Sequence, residues 1–396
     1  MISIRRAVLA SGFIIFLIVL IHSSRTSTSR ISQLAQKSAS RLSRTTQQHP
    51  PSEKEQRTQD EASSPSTATP QLPLPPKPRR RPTPQKPLAL PSNATLLSKL
   101  MYNFHYDPLP TFPAYIWQTW KVSPSAGSFE EKFRPYEASW TNKHPSFIHE
   151  VITDDIAPTL IGYLYAGVPE VAEAYNALPF AILKADFFRY LILLARGGIY
   201  SDIDTSALKS SVDWIPEPFV PHSGLVIGIE ADPDREDWKT WYSRRVQFCQ
   251  WTIMAKPGHP VLAHVVADIT LKTLTRLRNK TLSRLTQAEI VDFTGPALWT
   301  DRIFDYMNDE TYFDLSGALT GVAPKGNITW ANFTGMKEPR LVGDVVVLPI
   351  TSFSPGVQAM GAGEDDDPMA FVKHEFEGSW KPESERHIGE QKGKWR

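Results

Sequence analysis

Cysteine is almost absent from this sequence, since its 396 residues include only Cys249. A single cysteine cannot form an intrachain disulfide, so the fold must be stabilised by its hydrophobic core. The surrounding residues, Val-Gln-Phe-Cys-Gln-Trp, favour a small buried side chain over a nucleophilic thiol. We also find no internal repeat.

Acidic residues are scarce in the first 90 residues, which contain 14 of the 43 Lys and Arg but only four of the 42 Asp and Glu. This part therefore carries about +10, and the rest of the chain about −9. The two parts nearly cancel to a formal net charge of +1. A mildly acidic globular part argues against nucleic-acid binding, which needs a basic surface.

One hydrophobic run near the N-terminus predicts a membrane anchor. Residues 7–24 carry no formal charge when histidine is neutral, and Arg5 and Arg6 precede them. This length is at the short end for a membrane-spanning helix. A cleaved signal peptide is the alternative, but no clear cleavage site follows Ile21. We expect a cytosolic tail at 1–6, a transmembrane signal anchor at 7–24 and a lumenal C-terminal part.

The next segment, residues 25–95, has the composition of a stem. It is rich in Ser, Thr, Pro and basic residues, so it cannot bury a core and should be extended. We interpret it as a spacer before a catalytic domain at 96–396; a partner-binding or sorting tract is the alternative. Lumenal placement agrees with four N-x-Ser/Thr triplets, which begin at Asn93, Asn279, Asn327 and Asn332.

Hydrophobic periodicity in the remaining sequence predicts strands that alternate with helices. The predicted strands are 115–120, 147–152, 199–201, 225–230 and 345–348. The predicted helices are 155–178 with an interruption at 167–169, 180–196, 260–272 and 298–307. The clearest helix, 180–196, ends at a Gly-Gly pair, as helices often do. This alternation predicts an α/β layered sheet with ligands at the carboxyl ends of its strands.

Two carboxylates, Asp202 and Asp204, follow the predicted strand 199–201. If the chain is extended there, both side chains point to one side and can share one site. A nucleotide diphosphate is itself negative, so carboxylates bind it only through a divalent cation such as Mn²⁺ or Mg²⁺. A solvated acidic turn is the alternative, but the position after a helix, a Gly-Gly pair and a strand favours the metal site.

The preceding helix adds a charged pair, Asp186 and Arg189, which are i, i+3 neighbours on one turn. The pair is either a structural ion pair or part of a ligand site. In the second case the carboxylate accepts sugar hydroxyls and the guanidinium contacts sugar or phosphate oxygens.

The whole stretch from Leu183 to Thr205 resembles the signature of the DXD sugar-binding glycosyltransferases of family 32. Further stretches resemble its branch of fungal initiation-specific α-1,6-mannosyltransferases, so that the resemblance covers about 110–382. These stretches are 116–120, 294–301, 346–355 and 374–381. The resemblance implies a GT-A-like fold, a Rossmann-like mixed sheet flanked by helices, in a single catalytic domain.

The resemblance implies a metal site formed by Asp202, Asp204 and a residue near the C-terminus, where His374 matches. Asp202 would contact ribose or sugar as well as metal, and Asp204 would ligate the metal directly. Imidazole is a suitable Mn²⁺ ligand, with Mg²⁺ as the alternative ion. The motif reads His374-Glu375-Phe376 here, so Glu375 competes for this role.

The resemblance also implies a nucleotide-sugar site. Ile116 and Trp117 would pack on the nucleobase, and Tyr200 would lie beside the nucleotide. Ser379 and Trp380 would close over the diphosphate. The implied catalytic residues are Asp186, Arg189, Asp202 and Asp204.

The activity implied by the resemblance is metal-dependent transfer of mannose from GDP-mannose, with retention, to an N-linked glycan through an α-1,6 linkage. It implies a single-pass type II protein of the Golgi membrane, which could work in a complex with other mannosyltransferases. Three alternatives remain: a glycolipid acceptor such as inositol phosphoceramide, a UDP-sugar donor, and a non-catalytic subunit. A retaining glycosidase fits poorly because its two carboxylates need no metal-type DXD.

Overall fold

A computed structural model describes residues 89–233, 235–240, 242–312, 327–357 and 360–378. The predicted anchor at 7–24 lies outside these residues, as do the predicted stem up to residue 88 and the predicted site residues Ser379 and Trp380. Among the helices in the described ranges, none combines the length and the apolar character that crossing a bilayer requires.

The described ranges contain both helices and strands. The helices are α1 (Leu96–Asn103), α2 (Arg134–Lys143), α3 (Ala157–Leu164), α4 (Pro169–Ala177), α5 (Ala181–Arg196), α6 (Pro260–Arg278), α7 (Gln287–Phe293), α8 (Pro296–Met307) and α9 (Ile350–Phe353). The strands are β1 (Tyr115–Trp120), β2 (Ile148–Thr153), β3 (Gly198–Ser201), β4 (Thr205–Ala207), β5 (Leu225–Ala231), β6 (Gln247–Phe248), β7 (Thr252–Ala255), β8 (Arg340–Val342), β9 (Val345–Leu348) and β10 (Val372–His374).

The main sheet has the order β2-β1-β3-β7-β5-β9-β8, and β6 pairs with β5. Strands β2, β1, β3, β5 and β9 run in one direction, whereas β7 and β8 run in the other. The predicted mixed α/β sheet is therefore confirmed, and it is mostly parallel. A separate antiparallel pair joins β10 to β4.

Helix α5 packs in the main hydrophobic core. Leu183, Phe187, Leu191 and Leu194 recur at helical spacing, and all four side chains are fully buried. The helix ends where Gly197 adopts φ of 66°, and its N–H donates to the carbonyl of Leu193. The helix predicted at 180–196 is confirmed and leads directly into β3.

The other predicted elements are present with small shifts of their ends, and α6 extends the predicted helix 260–272 as far as Arg278. Strand β7, between β3 and β5, had no prediction because its four residues are all buried and show no alternation. The expectation of an extended chain at the two acidic residues is wrong. Asp202, Ile203 and Asp204 form a turn, in which the amide of Thr205 donates to the carbonyl of Asp202 at 3.2 Å.

The junction between α5 and β3 requires two glycines. Gly198 has φ of 93°, and a Cβ atom there would lie 2.6 Å from the carbonyl oxygen of Tyr115. A Cβ atom at Gly197 would lie 2.8 Å from the carbonyl oxygen of Ala255. The backbone of this junction thus passes between β1 and β7 with no room for a side chain, and this fixes where β3 begins.

We predict that Gly198→Ala lowers the free energy of unfolding by about 2 kcal/mol or more, because a left-handed residue with a Cβ atom costs roughly 1–2 kcal/mol before any clash. Urea unfolding followed by tryptophan fluorescence measures this change. Gly127→Ala is the control, since a Cβ atom there meets nothing within 4 Å. Equal unfolding midpoints for the two variants would contradict the prediction.

Candidate active site

The candidate site lies at the carboxyl end of β3, where the turn of Asp202 and Asp204 connects β3 to β4. Strand β10 pairs with β4, and His374 lies opposite Thr205. Two backbone amides then reach Asp204: that of Glu375 donates to its carbonyl at 2.9 Å, and that of Glu377 to Oδ2 at 3.2 Å. A distant part of the chain is thereby fixed against the acidic turn.

Asp202, Asp204 and His374 form the metal group, defined as three residues with one ligand atom each within 4.8 Å of the others. Nε2 of His374 lies 3.4 Å from Oδ1 of Asp204. Two carboxylate oxygens and one imidazole nitrogen fit a divalent cation. The structure thus brings together the three predicted ligands. Glu375, the competing candidate ligand, does not belong to the group. It contacts Asp204 through its backbone amide.

The charges within the metal group affect one another. Burial disfavours the charged form of Asp204, but the His374 imidazole and hydrogen bonds from backbone amides together outweigh burial and lower the pKa of the Asp204 carboxyl. Burial also disfavours protonation of His374, but the carboxylates of Asp204, Asp202 and Glu230 outweigh it and raise the pKa of the imidazole. The site therefore attracts positive charge, as a cation site must.

Arg189 joins helix α5 to the acidic turn. One terminal nitrogen donates to Oδ1 of Asp186, and the other donates to Oδ1 of Asp202 at 3.0 Å. The side chains of Arg189 and Asp186 are only 2% exposed, whereas that of Asp202 is 26% exposed. The hydroxyl of Tyr200 donates to the same oxygen of Asp202 at 2.8 Å. The predicted charged pair is thus an ion pair that also holds a metal-group carboxylate.

Asp186 is a buried acceptor for several side chains. Besides Arg189, Nε2 of Gln250 donates to its Oδ1 at 3.2 Å, and the hydroxyl of Thr294 donates to its Oδ2 at 2.8 Å. Burial raises the pKa of the Asp186 carboxyl to about 6, although Arg189 and Thr294 oppose the shift. Its contact with sugar hydroxyls stays a prediction. Sequence reasoning missed Gln250 and Thr294, although Thr294 opens one of the matched stretches.

Ile116 and Trp117 lie in the hydrophobic core. Ile116 is fully buried, and the indole N–H of Trp117 donates to the carbonyl of Gly197 at 2.9 Å. Their contact with a nucleobase stays a prediction. Trp120, the last residue of β1, packs with Ile203 of the acidic turn, and sequence reasoning missed it. The rule that ligands bind at carboxyl ends of strands, applied to β1, would have pointed to Trp120.

The backbone of the acidic turn is held by a neutral histidine through Gln118. Nε2 of Gln118 donates to the carbonyl of Asp202 at 3.1 Å, so its Oε1 must accept from Nε2 of His149 at 2.9 Å. The hydroxyl of Thr141 donates to the other ring nitrogen at 2.9 Å. Burial, with a smaller effect of His144, lowers the pKa of His149 to about 4.

The sequence of the acidic turn, Asp202-Ile-Asp204, has the form of a DXD motif, and comparison with known proteins shows the family to which it belongs. Residues 130–220 match the family model described as a glycosyltransferase sugar-binding region containing the DXD motif. The initiation-specific α-1,6-mannosyltransferase of Candida albicans is 48% identical over 75% of this chain and 80% of its own. The enzyme of the same name in Schizosaccharomyces pombe is 44% identical over 72% of this chain and 68% of the relative. The one in Saccharomyces cerevisiae is 35% identical over 74% of this chain and 83% of the relative.

The chain therefore belongs to the DXD glycosyltransferase family that includes the fungal initiation-specific α-1,6-mannosyltransferases, and it is an enzyme that transfers a sugar.

We predict that His149 makes stability depend on pH. Its folded pKa of about 4 lies below the ordinary value of 6.5, so protons bind the unfolded state first as the pH falls. The contribution is complete above pH 6.5 and is lost between pH 6.5 and 4, by about 3 kcal/mol. Urea unfolding at pH 7 and 4.5 measures it. The free energy of unfolding of His149→Gln should depend less on pH than that of wild type. The control His105→Gln changes an exposed histidine and should keep the wild-type pH dependence. Identical pH profiles for all three proteins would refute the prediction.

Proposed function

We propose that this protein transfers mannose from GDP-mannose to an N-linked glycan, with retention, through an α-1,6 linkage, and that its sheet is of the GT-A type. The observation that carries the proposal is the metal group of Asp202, Asp204 and His374, with Arg189 beside it at the carboxyl end of β3. Ligands of open α/β sheets bind at such ends. The names of the relatives support the sugar, the linkage and an initiating role.

The cation proposed for this group is Mn²⁺, with Mg²⁺ as the alternative, and it would neutralise charge that develops on the departing diphosphate. The imidazole of His374 favours Mn²⁺, because Mg²⁺ prefers oxygen ligands. The chain's own contribution is to hold the ligands before the donor arrives. Arg189 and Tyr200 fix one oxygen of Asp202, and the amide of Glu377 fixes one oxygen of Asp204.

The positive charge of Arg189 has a second role in this proposal. It offsets part of the repulsion between two carboxylates that must remain ionised to bind a cation. Because it is almost completely buried, its charge is poorly screened by water, and it adds to the stabilisation of the leaving phosphate. A same-face reaction, in which that phosphate helps to deprotonate the acceptor hydroxyl, requires no nucleophilic side chain.

We further propose that the enzyme acts in the Golgi lumen as a single-pass type II membrane protein. The hydrophobic run at 7–24, the stem-like composition of 25–95 and the four glycosylation triplets support this placement.

We predict that Asp204→Ala lowers mannosyl transfer by about 100-fold or more and abolishes tight Mn²⁺ binding, because the metal group loses one of its two carboxylates. Steady-state transfer assays and Mn²⁺ titration followed by electron paramagnetic resonance measure the two effects. The control is Asp213→Ala, an exposed carboxylate beyond β4. Wild-type transfer by Asp204→Ala, or by wild type in excess chelator, would overturn the metal assignment.

We predict that GDP-mannose is used at least about 10-fold more efficiently than UDP-galactose or UDP-N-acetylglucosamine. Donor hydrolysis and transfer, measured with each nucleotide-sugar with and without Mn²⁺, test this preference, and α-1,6-specific mannosidase digestion of the product tests the linkage. Preference for a UDP-sugar would contradict the donor and leave the metal group in place. Full activity in excess chelator, with neither Mn²⁺ nor Mg²⁺ available, would contradict the metal group instead.

A further inference from the structure

One nitrogen of the His374 imidazole has no partner. Nε2 lies 3.4 Å from Oδ1 of Asp204, so this nitrogen is the one directed at the carboxylates of the metal group. Nδ1 is buried and has no hydrogen-bond partner among the described residues. A neutral imidazole that offers Nε2 to a cation carries its hydrogen on Nδ1. This buried N–H therefore needs an acceptor.

The contacts around the His374 ring fix its plane but not its orientation. The ring stacks on Trp251 with centroids 4.6 Å apart and planes 14° apart, and the Phe376 ring lies nearly perpendicular to it with centroids 4.2 Å apart. A stacked imidazole can rotate by 180° about χ2 within the same plane, and this rotation moves Nε2 away from its ligand position. A hydrogen bond to Nδ1 would exclude the flipped orientation.

Glu230 supplies an acceptor without a donor. It is the second-last residue of β5, and its Oε2 atom is buried with no hydrogen-bond partner among the described residues. Strand β5 reaches the region of the imidazole, since the amide of Cys249, two residues before Trp251, donates to the carbonyl of Gly228 at 2.8 Å. Glu230 makes no direct hydrogen bond with His374, but its charge contributes to the raised pKa of the imidazole. Burial raises the pKa of the Glu230 carboxyl to about 7, although a hydrogen bond from Gln247 opposes the shift. The metal group does not include Glu230, so its carboxylate is available for another role.

We propose that Glu230 is the positioning residue of His374: one water accepts the Nδ1–H of the imidazole and donates to the carboxylate of Glu230, and this bridge keeps Nε2 directed at the cation. Histidines that bind metals usually donate their second N–H to a carboxylate, carbonyl or water, and loss of that partner typically weakens metal binding 10- to 100-fold. Here the pairing also satisfies two buried polar atoms at once. The inference rests on the metal-dependent function proposed above.

The test measures Mn²⁺ binding by the full-length protein, with electron paramagnetic resonance of the free ion as the readout. Glu230→Gln should raise the Kd for Mn²⁺ about 10-fold or more, because a neutral amide is a weaker acceptor for the water that holds the imidazole N–H. Its melting temperature in chelator should equal that of wild type or exceed it. Transfer by this variant should recover towards the wild-type kcat as Mn²⁺ is increased, which a group that contacts the sugar would not show.

Glu236→Gln is the matched control, since Glu236 is an exposed carboxylate in the segment that follows β5. A wild-type Kd for Mn²⁺ in Glu230→Gln overturns the inference, and so does a low kcat that saturating Mn²⁺ fails to restore. If wild type and Asp204→Ala both fail to bind Mn²⁺, the proposed function fails together with the inference. If wild type binds, Asp204→Ala does not and Glu230→Gln binds normally, only the inference fails.

Discussion

The buried guanidinium of Arg189, shared between Asp186 and Asp202, is the interaction on which the site depends. Removing a charge from water costs several kcal/mol unless partners compensate for it, and two carboxylates do so here. Because Asp186 belongs to α5 and Asp202 to the acidic turn, the arrangement connects the core helix with the metal group. Asp186 in turn accepts from Gln250 and Thr294. The ion pair of Arg189 and Asp186 thus joins α5 to the acidic turn and to the segments that carry Gln250 and Thr294.

A second set of contacts holds the turn through its backbone. Gln118 on β1 donates to the carbonyl of Asp202, and the neutral His149 on β2 donates to Gln118. Amides that follow β10 hold Asp204 from the other side. Backbone and side chains of the turn are therefore held independently. Such preorganisation matters for catalysis, because ligands that are already in position need no rearrangement when charge develops in the transition state.

The sequence predicted the parts of this structure that depend on local patterns. Helix α5 shows a clear helical period, and the two glycines after it mark the turn into β3. Strand β7 was missed because a short strand buried on both faces has no alternation. The role of His374 could not come from local pattern, since it depends on the pairing of β10 with β4. That pairing is tertiary, and only resemblance to a family suggested it.

Errors about the site have similar physical causes. The acidic segment was expected to be extended, but a hydrogen bond from Thr205 to Asp202 closes a turn that still directs both carboxylates to one place. Trp120 was missed because its packing with Ile203 is a tertiary contact that the pattern of β1 does not show, whereas Ile116 and Trp117 lie in the core. The role proposed for Glu230 has no signal in the sequence, because a single glutamate at the end of an apolar strand resembles any residue leaving a sheet.

The pairing of β4 with β10 also determines when the site can form during synthesis. Asp204 and Glu377, which meet in the folded protein, are 173 residues apart in the chain. At ordinary rates of translation, on the order of 10–30 s separate their appearance at the ribosome. During that interval the acidic turn lacks both its histidine and the amides that hold Asp204. Cation binding by the complete ligand set therefore cannot assist folding while this interval lasts.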